Sequence, residues 1–312
     1  MTPKTKKILL VLLKVLISGG LLWYLLKKAG LREVAVLFKN INVLYYFLAC
    51  LLSLLPTLIA SFRWKLFLGE EISVKLLFAL YMIGLFFNIL LPGTTGGDAV
   101  RLYYVYKRIK DGVKSAGSIF IDRYMGFTTI VILGFAAFLI GFNKLKDTVI
   151  VFFIPVAVIS FFVGSAVVFG FKLGNRFSFV NRLHEYFSLY ISKKKILVKS
   201  FLISLGAQFV CIYVIYLICL SLNVNVSFAN LIIFVPIIIV ITAVPISISG
   251  IGLREGAFIY LFKIIGVPHD EAIAVSFAYF ISVIISSLPG LFFYLTFKAR
   301  VKEEEAYSTV QP

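Results

Sequence analysis

Two short polar stretches interrupt an otherwise apolar chain, and most of its candidate chemistry lies in them. The first runs Asn88-Ile-Leu-Leu-Pro92-Gly93-Thr94-Thr95-Gly96-Gly97-Asp98-Ala-Val-Arg101. Pro92 cannot continue a helical hydrogen-bond ladder, so it ends the incoming helix. The glycines that follow permit tight turns and close approach of another group. Backbone N–H groups exposed in such a turn, at the start of a helix, form an anion site. Arg101 follows Asp98 by three residues and shares its helical face. The two either neutralise each other, or Asp98 holds Arg101 toward a phosphate.

The second stretch runs Pro245-Ile-Ser247-Ile-Ser249-Gly250-Ile-Gly252-Leu-Arg254-Glu255-Gly256. It places two hydroxyls, glycines and an Arg-Glu pair between two apolar segments. Charge at membrane depth is costly and marks a functional site by default. Glu255 also suits the positive end of the outgoing helix. The alternative is an internal salt bridge that locks the turn, and the two roles are compatible. Beyond these stretches, Arg63 and Trp64 close an apolar run and read as interfacial anchors. Asp122 and Arg123 open another run and either pair locally or face the interior. Asn88 and Gln208 are lone polar residues in apolar surroundings, suited to helix–helix contacts. Cys50, Cys211 and Cys219 lie in apolar runs, and His184 and His269 are far apart, so neither a disulfide framework, a metal site nor a cofactor is expected.

The elements that position these residues must be membrane helices. Of 312 residues, 61% are hydrophobic and only 14% charged, with 32 Phe and 16 Tyr and a mean hydropathy of +1.02. No water-soluble domain of this length hides that much apolar surface. A nucleic-acid partner is excluded on the same ground, despite a net charge of +17. Six runs approach the roughly 20 residues of a membrane crossing: 8–26, 43–62, 119–142, 149–171, 201–222 and 272–297. The first follows Lys4, Lys6 and Lys7 as a signal peptide would, but it contains Lys14 and lacks a clean cleavage site, so it reads as an uncleaved span. Two further pairs of arms, 74–91 with 99–109 and 231–244 with 254–265, flank the polar stretches and are mostly too short to cross.

The distribution of basic residues decides how the short arms run. If each pair counts as one crossing, the basic loops 101–118 and 172–200 fall on the side opposite the N-terminus. If each pair enters and leaves on one side, segments 1–7, 63–75, 101–118, 172–200 and 298–312 lie together and carry 21 Lys and Arg, against 6 on the opposite side. Positive charge belongs inside. The sequence therefore predicts an all-α polytopic membrane protein, a single domain of six full transmembrane helices plus two re-entrant hairpins. N- and C-termini are cytoplasmic. The order of crossings repeats with an odd number per half. That makes two inverted pseudo-repeats, about 8–142 and 149–297, an architecture of secondary transporters.

The stretches at 88–101 and 245–256, with Asp122-Arg123 between them, resemble the integral membrane family typified by the transmembrane flippase domain of lysylphosphatidylglycerol synthases. The resemblance covers about residues 5–300, and Arg63-Trp64 sits where that family tends to carry such a pair. Ser249-Gly250 stands where many relatives have Gly-Gly. In fused members of the family this domain moves an aminoacylated lipid between leaflets, and a soluble C-terminal domain makes it. The chain shows only the membrane part, so the resemblance implies translocation rather than aminoacyl transfer.

The expected function is a flippase-like translocase for a lipid or lipid-linked anionic or zwitterionic substrate, bound between the two Gly-rich re-entrant tips. The substrate-binding set is Asn88, Gly96, Gly97, Asp98, Arg101, Asp122, Arg123, Ser247, Ser249, Gly250, Gly252, Arg254 and Glu255. No catalytic residue is assigned. The alternative is a membrane-embedded transferase acting on a polyprenyl phosphate or phospholipid headgroup, against which stands the lack of a sizeable hydrophilic face. Expected partners are membrane lipids, with anionic headgroups drawn to the basic cytoplasmic face of a prokaryotic cell membrane. Homo-oligomerisation is left open.

Overall fold

The protein is represented by a computed structural model that describes residues 31–90, 96–170, 185–190, 192–244 and 250–297. The expected first span at 8–26, and Pro92, Ser247 and Ser249 of the polar stretches, lie outside the described residues. Every regular element among the described residues is helical, and the chain is an all-α polytopic membrane protein.

A short helix, α1 (Leu31–Lys39), precedes α2 (Val43–Leu52) and α3 (Leu55–Leu68). Asn42 starts α2 by accepting from the N–H groups of Leu44 and Tyr45. A turn at Ser53 and Leu54 separates α2 from α3, and Pro56 fits the first turn of α3, where its missing N–H costs nothing. Together they make one apolar span, Val43–Leu68. Gly69, at φ 76°, then ends α3 in the left-handed region that glycine tolerates.

Next come α4 (Val74–Leu90) and α5 (Gly96–Ile109), a hairpin of 17 and 14 residues. At 1.5 Å per residue these arms reach about 25 and 21 Å, short of a hydrocarbon core of about 30 Å. The long α6 (Gly112–Ile140) is capped by Asp111, which accepts from Val113 and Lys114 N–H. After the single turn α7 (Phe142–Leu145) comes α8 (Ile150–Gly170), whose outward face is Phe152, Val156, Ile159, Phe162 and Val163. In water such a face would be a large apolar patch; in a bilayer it is a lipid contact. Then follow α9 (Lys194–Ser221), the short α10 (Phe228–Thr242) and α11 (Leu253–Lys263), and α12 (His269–Ser287), which continues past Leu288 to complete the span His269–Phe297. Five described helices are thus long and apolar enough to cross a membrane, and the polar stretches sit between short ones.

The packing is cyclic in each half. Helix α3 packs on α4, α4 on α5, α5 on α6, and α6 back on α3; likewise α9 packs on α10, α10 on α11, α11 on α12, and α12 back on α9. The two rings meet mainly where α3 lies along α9 and α6 along α10. The larger apolar core lies in the second ring, centred on Phe234, Phe258 and Phe262. The first ring has a smaller core around Trp64, Leu77, Leu80 and Ile83, and its centre is polar.

Candidate functional site

Glycine lets the first polar stretch fold against its own hairpin. A Cβ on Gly97 would stand 2.6 Å from the Gly84 carbonyl carbon and 2.8 Å from Asn88 Oδ1, so α5 touches α4 backbone to backbone. Asn88 accepts the Gly97 N–H at 2.8 Å, satisfying one donor at the start of α5. A Cβ on Gly84 would meet the Arg101 side chain at 2.8 Å, so the stem of Arg101 runs over Gly84.

That path carries the Arg101 guanidinium into the first ring. It lies between two aromatic faces, 4.0 Å from the Trp64 ring centre and 3.8 Å from that of Tyr81. The two rings meet edge to face. The Trp64 indole N–H donates to Ser118 Oγ at 3.2 Å, which fixes its plane. Arg101 Nη2 reaches Asp122 Oδ2 at 3.3 Å. The other Asp122 oxygen accepts from Arg63 Nε at 2.8 Å, and the Tyr81 hydroxyl donates to Oδ2. Arg63 also donates to Ser204 Oγ at 2.9 Å and to the Tyr81 hydroxyl at 3.3 Å. One fully buried carboxylate is therefore shared by two buried guanidiniums and a phenol from α3, α4 and α5, and Ser204 ties the cluster to the second ring.

At the edge of this cluster Asp98 bridges two cations. Its Oδ1 lies 3.2 Å from Arg101 Nη1, and its Oδ2 pairs with Arg123 Nε. The expected i, i+3 pair thus forms, and Asp122 takes the interior while its neighbour Arg123 takes the rim. The reading of Arg63 and Trp64 as interfacial anchors is corrected. The α3 helix continues to Leu68, both side chains turn inward, and Trp64 is fully buried with its N–H spent on Ser118.

The second stretch is closed upon itself. Gly250 and Gly252 adopt φ of 77° and 85°, which a side chain would strain. The turn lets Glu255 reach back to the Gly252 N–H, accepting it at 2.6 Å on Oε2. Its Oε1 accepts from Arg254 Nη2 at 2.6 Å and from Ser276 Oγ at 3.2 Å. Arg254 Nε also faces Ser276 Oγ at 3.2 Å, and the guanidinium rests 4.6 Å from the Phe280 ring centre. Arg254 and Glu255 are both buried. This arrangement pairs charge with charge inside α11 and α12 and works as a lock on the turn. The expected site between the two tips is not formed among the described residues, where α5 packs on α4 and α6, and α11 on α10 and α12.

The model of the lysylphosphatidylglycerol synthase transmembrane region matches residues 11–290, a span that holds both polar stretches and the cluster between them. The chain belongs to that family. It is also similar to UPF0104 membrane proteins of archaea. The relative from Methanocaldococcus jannaschii is 29% identical over 220 residues, covering 68% of this chain and 56% of that protein. The one from Pyrococcus horikoshii is 31% identical over 140 residues, covering 43% of this chain and 41% of that protein. The chain therefore spans about half the length of these two relatives. A third, from Methanothermobacter thermautotrophicus, is 25% identical over 272 residues and matches 74% of this chain and 77% of its own length.

In this family member the residues that complete the cluster, Tyr81, Ser118 and Ser204, carry no spacing signal. Each is a small or amphipathic polar residue in an apolar run, and Ser204 is separated from Arg63 by 141 positions. The one signal that could have found it is a hydroxyl within an apolar run. Three arginines, Arg63, Arg101 and Arg123, share two carboxylates, Asp98 and Asp122, and guanidinium groups of this kind suit a phosphate or carboxylate.

Proposed function

We propose that this chain is a membrane translocase for a lipid or lipid-linked substrate with an anionic or zwitterionic headgroup. The observation that carries this reading is the buried Arg63–Asp122–Arg101 cluster at the foot of a hairpin too short to span the bilayer. Two guanidiniums at that depth are costly to maintain, and a headgroup phosphate is the natural counter-charge to draw among them. Asn88, Gly96, Gly97 and Asp98 form the approach, Arg101 and Arg123 the binding face, and Asp122 the centre that orients both inner arginines. Gly250, Gly252, Arg254 and Glu255 shape and lock the second hairpin.

The α4–α5 and α10–α11 hairpins are re-entrant, from opposite faces of the cell membrane, and residues 8–142 and 149–297 are inverted repeats. The matching cyclic packing of the two rings supports this. Rocking of one ring against the other would expose the site to either leaflet in turn. The 21 basic residues of the predicted cytoplasmic segments orient the chain with both termini inside. Arg63 and Arg101 among them belong to the cluster, which leaves the bias intact.

The test is purified protein in proteoliposomes with short-chain fluorescent phospholipids and polyprenyl phosphates. Accelerated flip-flop that Arg101→Ala abolishes is expected; no acceleration for any anionic lipid refutes the translocase. Cysteines placed at the exposed Lys110 and Ser227 should label from opposite sides, and labelling from one side would refute the inverted arrangement.

A further inference from the structure

Asp98 differs from the other two carboxylates of the candidate site, Asp122 and Glu255. Asp122 is fully buried and accepts from three side chains on three helices. Glu255 is fully buried, with one oxygen committed to a backbone N–H. Asp98 keeps 17% of its side-chain surface exposed, and its two oxygens go to two different arginines, Arg101 and Arg123. Arg123 is itself 40% exposed, whereas Arg101 is 3% exposed. The carboxylate therefore sits at the border between the exposed surface and the buried cluster, in the seat that a phosphate reaching Arg101 would take.

The two arginines respond differently when that seat is vacated. Arg101 cannot follow Asp98 outward. Its guanidinium packs into the corner made by Trp64 and Tyr81 and is tied to Asp122. Its Nε is already buried with no hydrogen-bond partner among the described residues. Without Asp98, its Nη1 and Nε would both lack an acceptor, and a buried charged donor left in that state is costly. Gly96 and Gly97 precede Asp98 and put no side chain over the seat.

We propose that Asp98 is a built-in competitor for the substrate anion, a tethered carboxylate that fills the Arg101–Arg123 seat when empty and is displaced by a phosphate group. This rests on the reading of the first stretch as the substrate site and adds how that site is regulated. Seating Asp98 there lets the empty protein avoid an unpaired buried arginine. It also sets affinity, because the apparent dissociation constant rises with the fraction of molecules in which Asp98 is seated.

The experiment measures binding to the full chain in detergent micelles. Trp23 and Trp64 are the two tryptophans, so a Trp23→Phe background leaves Trp64, stacked on Arg101, as the fluorescent reporter. Dioctanoyl phosphatidylglycerol, inorganic phosphate and uncharged dioctanoylglycerol are titrated separately. In Asp98→Asn the lipid's dissociation constant should fall about five-fold, the scale of a partly exposed ion pair, while Asp98→Glu stays near wild type. Asp98→Ser provides a second uncharged variant if Asp98→Asn folds poorly. A matching gain for inorganic phosphate assigns the seat to any phosphate group; a gain confined to the lipid assigns it to a headgroup held by its tails. Unchanged or weaker lipid binding in both uncharged variants overturns the proposal and makes Asp98 a positioning residue for Arg101. An equal gain for dioctanoylglycerol also overturns it, since charge would then play no part. Flip-flop measured in parallel separates the two readings. Loss of competition with no lipid movement in wild type refutes the translocase alone, and lipid movement with unchanged binding in the Asp98 variants refutes the competitor alone.

Discussion

Replacing Gly97 with alanine tests the contact that brings Arg101 to its place. The new Cβ would stand 2.6 Å from the Gly84 carbonyl carbon and 2.8 Å from Asn88 Oδ1, where ordinary contacts begin at 3.4 Å. The Gly84 carbonyl is backbone and cannot rotate aside as the Asn88 side chain can, so the helices must separate by about 1 Å. That movement lengthens the 2.8 Å bond from Gly97 N–H to Asn88 to about 3.8 Å, beyond hydrogen-bonding range. Overpacking costs about 1–3 kcal/mol, and the lost bond adds about 1 kcal/mol, for a destabilisation of about 2–4 kcal/mol. The assay is reversible unfolding in mixed dodecyl maltoside and SDS micelles. Gly164→Ala and Gly206→Ala serve as controls, because a Cβ at either meets nothing within 4 Å. Those two should be neutral or stabilising by up to about 1 kcal/mol, from helix propensity. If Gly97→Ala unfolds within about 0.5 kcal/mol of the controls, the backbone contact does not set the α4–α5 geometry.

Three further outcomes follow from the pairings. Asp122→Ala leaves Arg63 and Arg101 buried without their shared counter-charge and should cost about 3–5 kcal/mol in the same unfolding assay. Glu255→Gln removes the charge opposite Arg254 and should destabilise by a similar amount, whereas Ser276→Ala should cost only about 1 kcal/mol; equal effects would refute the lock. Tyr186 and Tyr190 both donate to the Phe67 carbonyl, at 2.6 and 2.8 Å, so the double Phe variant should cost about 1–3 kcal/mol and each single variant less, as the remaining hydroxyl still satisfies the acceptor.

The membrane class and the positions of the polar stretches are legible in the sequence because lipid imposes long apolar runs that punctuation residues interrupt. Helix ends are less so: the expected 119–142 begins at Gly112 in the structure, since Ser115, Ser118 and Asp122 are polar yet face inward rather than ending the helix. Arg63 and Trp64 fail as anchors for the same reason. Hydropathy registers that a charge interrupts a run, and not which way the helix turns it. The Asp98–Arg101 pair is local and follows from spacing. The Asp122 cluster is not, because its partners come from 21, 41 and 59 positions away and only tertiary packing joins them. Adjacency made Arg254 and Glu255 conspicuous, but the positive φ of Gly252, which turns Glu255 back to cap its own helix, is a backbone fact that composition carries only as a glycine.

The separation between Arg63 and its partners also bears on how the protein is made. Arg63 leaves the ribosome 59 residues before Asp122 and 141 before Ser204. During that interval α3 must sit in the bilayer with a cation that has no partner. A central arginine costs an inserting helix about 2.5–3.5 kcal/mol, but Arg63 lies five residues, about 8 Å, from the last residue of its span. The nascent side chain can therefore reach up to the headgroups and stay hydrated. Only when α6 arrives with Asp122 is there reason to draw it in. Insertion and assembly are thus separable events for α3, because the ion pair that centres the finished bundle forms only once α6 has been synthesised.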